Sequence, residues 1–134
     1  MTTREGGCYC GAVRYRIEGE PLHVNYCHCR MCQRLSGAPV VSWATFNADD
    51  VRFLNKEPKW FRSSNIATRA FCNECGTQLL WRSDRDRDES DITTASLDDP
   101  NSVKPKDHIW TESQLEWMNI DDHLPRYRRS RSEG

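Results

Sequence analysis

Cys72-Asn73-Glu74-Cys75-Gly76-Thr77 separates two β-rich stretches: residues 66–71 lead into it, and TQLLW at 77–81 leaves it. A CxxC spacing lets both thiols grip one soft metal ion from a single turn, and the glycine that follows supplies a backbone conformation that a side chain would obstruct. The stretch therefore predicts a metal knuckle at the tip of a β-hairpin. Toward the N-terminus, Cys8-Tyr9-Cys10-Gly11 repeats the arrangement with tighter spacing and the same closing glycine. Between the two lies Cys27-His28-Cys29-Arg30-Met31-Cys32, so all seven cysteines fall in three short segments. Thiols this close in sequence bridge to one another only with strain, which favours a metal over a disulfide.

Seven thiolates are one short of closing two tetrahedral sites. The outer clusters, about sixty residues apart, pair as a closed four-thiolate site of Cys8, Cys10, Cys72 and Cys75 that pins the N-terminal strand to the later hairpin. Such a site is structural, because four thiolates more than cancel the charge of a zinc ion and leave it inert. Cys27, Cys29 and Cys32 then close around a second zinc from one loop and leave a coordination position to water or an incoming sulfur ligand. A thiol bound there would lose its proton at neutral pH and be held ready to attack a carbonyl carbon. His28 is the alternative fourth ligand, which would make the second site closed and without chemistry. Its place between two ligating residues argues that it points away, as a packed or hydrogen-bonded imidazole.

At 134 residues the chain has the length of one domain. A hydrophobic share of 37%, a charged share of 29% and a net charge of -1 predict a single core that leans on metal as well as burial. The near-neutral charge gives no general attraction to nucleic acid or an anionic membrane. No run approaches the roughly 18 to 20 apolar residues that span a bilayer, and MTTREGGCYC lacks the apolar core of a secretory signal. The expected compartment is the reducing cytoplasm, where thiols stay free for metal.

The rest of the chain reads as β structure. AVRYRIE at 12–18 alternates as a half-buried strand, PVVSWATF at 39–46 is a second β run, and DVRFL at 50–54 and WFRSS from Trp60 follow, separated by turn residues. RSDRDRDESD from Arg82 alternates charges without an apolar anchor and predicts a solvated loop. ITTAS from Ile92 resumes β character, and HIWTESQLEWM from His108 brings two tryptophans back toward the core. One short helix is expected around residues 30–36. The domain is expected to span residues 1–123, with 124–134, ending RYRRSRSEG, as a frayed, disordered basic tail. Arg30 and Arg34 flank the middle cluster and could meet a substrate carboxylate. Trp43 and Phe46, on the strand that follows, would wall the second site from water or simply pack in the core. His23, His108 and His123 are isolated and read as structural or exposed.

Three motifs together, residues 7–15 (GCYCGAVRY), 27–38 (CHCRMCQRLSGA) and 71–77 (FCNECGT), resemble the glutathione-dependent formaldehyde-activating enzymes, which are grouped with the centromere protein V domain. Weaker echoes follow at 96–100 (SLDDP), 108–110 (HIW) and Trp117, so the resemblance covers residues 6 to about 118. It implies a mainly β fold of antiparallel sheets pinned by zinc knuckles, similar to the Mss4-like or β-tent architecture. It also implies the same division of ligands, with Cys8, Cys10, Cys72 and Cys75 around a structural zinc and Cys27, Cys29 and Cys32 around a catalytic one. The implied activity is that of a carbon-sulfur lyase joining glutathione and formaldehyde to S-hydroxymethylglutathione, with a small thiol such as glutathione as partner and no nucleic acid. The alternative class is a non-catalytic scaffold in which both zincs are structural. A third is a redox or metal-buffering protein that uses the middle thiols.

Overall fold

The computed structural model describes residues 2–133. Ten strands and one α-helix follow one another as β1 (Thr3–Gly7), β2 (Arg14–Glu18), β3 (His23–Cys27), α1 (Arg30–Ser36), β4 (Val41–Asn47), β5 (Val51–Phe53), β6 (Lys59–Arg62), β7 (Ala67–Phe71), β8 (Gln78–Ser83), β9 (Glu89–Thr93) and β10 (Asp107–Ile109). They form a small sheet, β1-β2-β5, and a large one, β10-β3-β4-β9-β8-β7-β6. Every pairing is antiparallel except that of β10 with β3. The mainly β expectation is borne out.

Period-two alternation sorts the large sheet into two faces with different tasks. On β4, Ala44 and Phe46 face the small sheet and join Val13, Tyr15, Ile17, Val24, Leu80 and Ile92 in the main core. Val41 and Trp43 face the other way and pack with Cys27 and Cys32, flanked by Trp81, Ile109 and Trp110. Of the two aromatics expected to wall the second site, Trp43 does so and Phe46 belongs to the core between the sheets. Their spacing is odd, and an odd step along a strand changes face.

Helix α1 covers the expected residues. The Cys29 side chain accepts from the Cys32 N–H at its start, and Gly37 closes it at φ 67 with its N–H on the Gln33 carbonyl. Gln33 is buried and donates to the carbonyls of His28 and Ser113, fixing the helix to the turn before it and to the C-terminal region.

The structure differs from the sequence reading at three places. The charged stretch from Arg82 is an exposed loop only at 84–88; Arg82 and Ser83 end β8, while Glu89, Ser90 and Asp91 open β9. Its backbone pairs across the sheet, and Arg82 lies over the Trp60 ring at 5.1 Å while donating to the buried Ser90 hydroxyl. Trp117 does not return to the core and is 71% exposed. Within residues 124–133, Pro125 and Arg129 accept from the His108 and Trp110 amides, Tyr127 donates back to His108, and Arg131 forks onto the buried Asp107 at 2.5 and 3.0 Å. Parallel pairing to the free edge of β10 and a buried carboxylate supply the partners that composition alone does not reveal.

Candidate metal centres

The first cluster is assembled from two hairpin tips in different sheets. After β1, the Cys8 N–H bonds the Val13 carbonyl, Gly11 at φ 83 returns its N–H to the Cys8 carbonyl, and the Val13 N–H donates to Cys8 Sγ at 3.2 Å. After β7, a register shift at Ala70/Phe71 re-aims the chain into the second knuckle. There Cys72 bonds Thr77, Gly76 at φ 85 bonds back to Cys72, and the Glu74 N–H donates to Cys72 Sγ at 3.4 Å. The Tyr9 N–H crosses between the knuckles to the Thr77 hydroxyl at 3.0 Å. Hydrogen bonding to Thr77, through its hydroxyl and then its backbone, pushes the Cys75 thiol down to about 5.

The sulfurs of Cys8, Cys10, Cys72 and Cys75 all lie within 4.8 Å of one another, with Cys8–Cys10 at 3.6 Å and Cys10–Cys72 at 3.7 Å. Thiolates at the corners of a tetrahedron of Zn–S bonds are about 3.8 Å apart, and amides donating to sulfur are the usual outer partners of such ligands. The donor set fits a zinc ion. All seven cysteines are free thiols.

The second cluster is local. Cys27 ends β3, Cys29 caps α1 and Cys32 lies in its first turn, which brings Cys29 and Cys32 sulfurs to 3.0 Å and Cys32 and Cys27 to 3.6 Å. Cys27 and Cys32 are buried and Cys29 is partly so. Hydrogen bonding with Cys27 and Cys29, and beyond them the Arg69 guanidinium, push the Cys32 thiol far down, whereas Cys27 is pushed up. Three mutually close sulfurs, one of them receiving the Cys32 N–H at 3.2 Å, fit a metal ion here as well.

His28 does not join them. Its Nε2 meets His108 Nδ1 at 2.9 Å, and His108 Nε2 reaches the Asp122 carboxylate at 2.9 and 3.1 Å. The rings of Tyr26, His108 and His28 stack in sequence, and His28 and His108 are fully buried. Arg30 and Arg34 are exposed on α1, Arg30 being tied to Gln33 Oε1 at 2.7 Å. His23 and His123 are exposed and take no part in either cluster.

Sequence reasoning missed the polar residues around the second cluster. Arg69 from β7 donates to Cys32 Sγ at 3.6 Å and to Gln78 Oε1 at 2.7 Å. Buried Asn25 Oδ1 and Gln78 Nε2 have no hydrogen-bond partner. Asp91 accepts from the Thr45 hydroxyl at 2.6 Å. An arginine at a core-facing position of the run ATRAF was the one signal available.

Two sheets joined at their hairpin tips by four cysteines, with a second cysteine cluster set into the far face of the larger sheet, define a small β protein with two sites able to hold metal ions. The chain belongs to the family described as glutathione-dependent formaldehyde-activating enzyme, whose family model matches residues 3–113. It is 28% identical over 127 residues to a putative glutathione-dependent formaldehyde-activating enzyme of Halomonas elongata, covering 87% of this chain and 80% of that one. It is 30% identical over 81 residues to an uncharacterized lyase of Schizosaccharomyces pombe, covering 60% of this chain and 58% of the relative. A crystal structure of a Rhodobacter sphaeroides protein superposes with a TM-score of 0.58 at 21% identity, covering 92% of this chain and 98% of that one, and shows the same fold. Among the described residues no helix is long and apolar enough to cross a membrane.

Proposed function

We propose that the protein is a zinc-dependent carbon-sulfur lyase acting on the thiol adduct of a small aldehyde, joining glutathione and formaldehyde to S-hydroxymethylglutathione or running a related reaction. In this reading Cys8, Cys10, Cys72 and Cys75 hold a structural zinc, and Cys27, Cys29 and Cys32 hold the zinc of the reacting centre. One observation carries it: His28 stands between two cysteines of the cluster, yet its Nε2 meets His108 at 2.9 Å and neither ring nitrogen joins the three sulfurs, so the described residues offer three protein ligands and not four. The family and the names of the relatives support the same class of chemistry.

A zinc ion bound there supplies Lewis acidity that favours the deprotonated form of an incoming thiol. The chain does the rest. Trp43, Trp81, Ile109 and Trp110 pack around the cysteines and keep bulk water from that face. Arg30 and Arg34, exposed on α1, are the candidates for meeting the carboxylates of a peptide thiol. The step balances without an added reagent: the sulfur bonds to the carbonyl carbon, the carbonyl π pair moves to oxygen, and the proton given up by the thiol ends on that oxygen.

The test is zinc per chain on protein purified under reducing conditions, before and after a weak chelator is offered and removed, followed by consumption of formaldehyde in the presence of glutathione. Two zincs falling to one with the fold intact, and activity lost in Cys29→Ser without loss of the first zinc, are expected. Zinc that does not exchange, or a Cys29→Ser variant with full activity, would sink the reading and favour a scaffold.

A further inference from the structure

Arg69 is 2% exposed. A buried guanidinium is ordinarily matched by a carboxylate, because the cost of removing a cation from water is offset only by a nearby anion. Among the described residues none of the ion pairs involves Arg69. Its Nη1 donates to the neutral Gln78 Oε1 at 2.7 Å, its Nε has no acceptor, and its guanidinium carbon lies 5.7 Å from the centre of the Trp43 ring. The remaining contact is Nη2 to Cys32 Sγ at 3.6 Å. The anion that Arg69 answers is therefore the sulfur cluster itself.

The comparison between the two clusters points the same way. In the four-cysteine cluster Cys10 and Cys75 are exposed, so water can screen its charge, and no arginine or lysine there is bonded to sulfur among the described residues. In the three-cysteine cluster Cys27 and Cys32 are buried, and among the described residues the one cation in contact with sulfur is Arg69. Three thiolates with a divalent ion carry one net negative charge, which would repel a further anionic ligand; one guanidinium brings the sum to zero.

We propose that Arg69 is the charge-balancing residue of the three-cysteine centre, holding it neutral so that a fourth, anionic thiolate can join. This rests on the reading of that cluster as a metal centre that receives a thiol. Arg69 acts through Cys32, so it is a positioning residue rather than a catalytic one.

Cobalt(II) is the probe, because its thiolate charge-transfer and d–d bands report how many sulfurs surround it. Wild type, Arg69→Met and Arg69→Lys are loaded with cobalt, competed against a chelator, and titrated with 2-mercaptoethanol while the d–d bands are followed. Arg69→Met is expected to weaken the second cobalt by about 10- to 100-fold, the usual cost of removing an outer partner of a ligand. It should blunt the thiol-induced spectral change and leave the first cobalt unaltered, which also marks the variant as folded. Arg69→Lys, which keeps the charge, should restore most of both.

Second-site affinity within twofold of wild type in Arg69→Met would overturn the proposal. So would a lysine variant as impaired as the methionine one, because shape and not charge would then matter. Should Arg69→Met lose both metals by unfolding, Arg69→Lys decides alone: retained second-site affinity supports charge balance, and loss overturns it. A wild-type protein that takes up a single cobalt per chain would fail the underlying reading of the cluster before any variant is compared.

Discussion

Asp91 sits on β9 opposite Thr45 of β4 and accepts a hydrogen bond from its hydroxyl at 2.6 Å. Burial pushes its carboxyl up to about 6 from an ordinary 3.8, with the Thr45 hydrogen bond working against the rise. A carboxyl with a raised folded pKa binds more protons in the native state between those two values, so stability is full below about 4 and falls as pH rises through about 6. Asp91→Asn keeps the acceptor for Thr45 and removes the ionisation. It is expected to raise stability at pH 7 by on the order of 3 kcal/mol and to change little at pH 4, as read from urea melts at the two pH values. An equal gain at both would assign the effect to packing. At this scale the cysteines are legible in the sequence because their spacing is short-range, and the turning away of His28 follows from its place between two of them. Arg69, Asp91 and the His28–His108–Asp122 chain are not legible, because registers between distant strands bring them together.

Among the elements, the strands with apolar alternation and the capped helix are readable, while those whose pattern is masked are not. β1 is TREGG, whose glycines pass close to other groups: a Cβ on Gly6 would collide with the Tyr15 hydroxyl and the Ser96 carbonyl. β3 carries buried Asn25 beside Val24, and β9 opens on two acids and a serine. The C-terminal segment hides its order in the same way, since its partners are backbone groups at a sheet edge and Asp107. Truncation before Pro125 is expected to cost about 2–3 kcal/mol, by stripping those main-chain bonds and leaving Asp107 buried without Arg131. Amide exchange at His108, Trp110 and Tyr127 checks this in the full chain. Slow exchange at all three that becomes fast at His108 and Trp110 on truncation is the expected result, and fast exchange in the full chain would return the segment to a frayed tail.

The whole molecule depends on the joint where the two sheets meet. Cys8 and Cys10 belong to the small sheet's first hairpin, Cys72 and Cys75 to a hairpin of the large one, and the core lies beneath them. Cys72→Ser would leave a buried hydroxyl at a position with no exposure and open a site whose binding free energy is on the order of 10 kcal/mol for structural zincs. It is expected to unfold much of the domain at temperatures where Cys29→Ser remains folded, as followed by circular dichroism. Equal melting of the two would mean that both clusters carry the fold. The joint also sets a timetable for synthesis. The three-cysteine cluster is complete once residue 32 is made, whereas the four-cysteine cluster joins sulfurs 62 positions apart and must wait for Cys75. At about 5–20 residues per second, the intervening stretch of about forty residues takes roughly 2–9 s to translate. During that interval the nascent chain presents one finished sulfur cluster and one unpaired cysteine pair. A metal captured early therefore goes to the local cluster, and the clasp between the sheets closes only after Cys75 has been made.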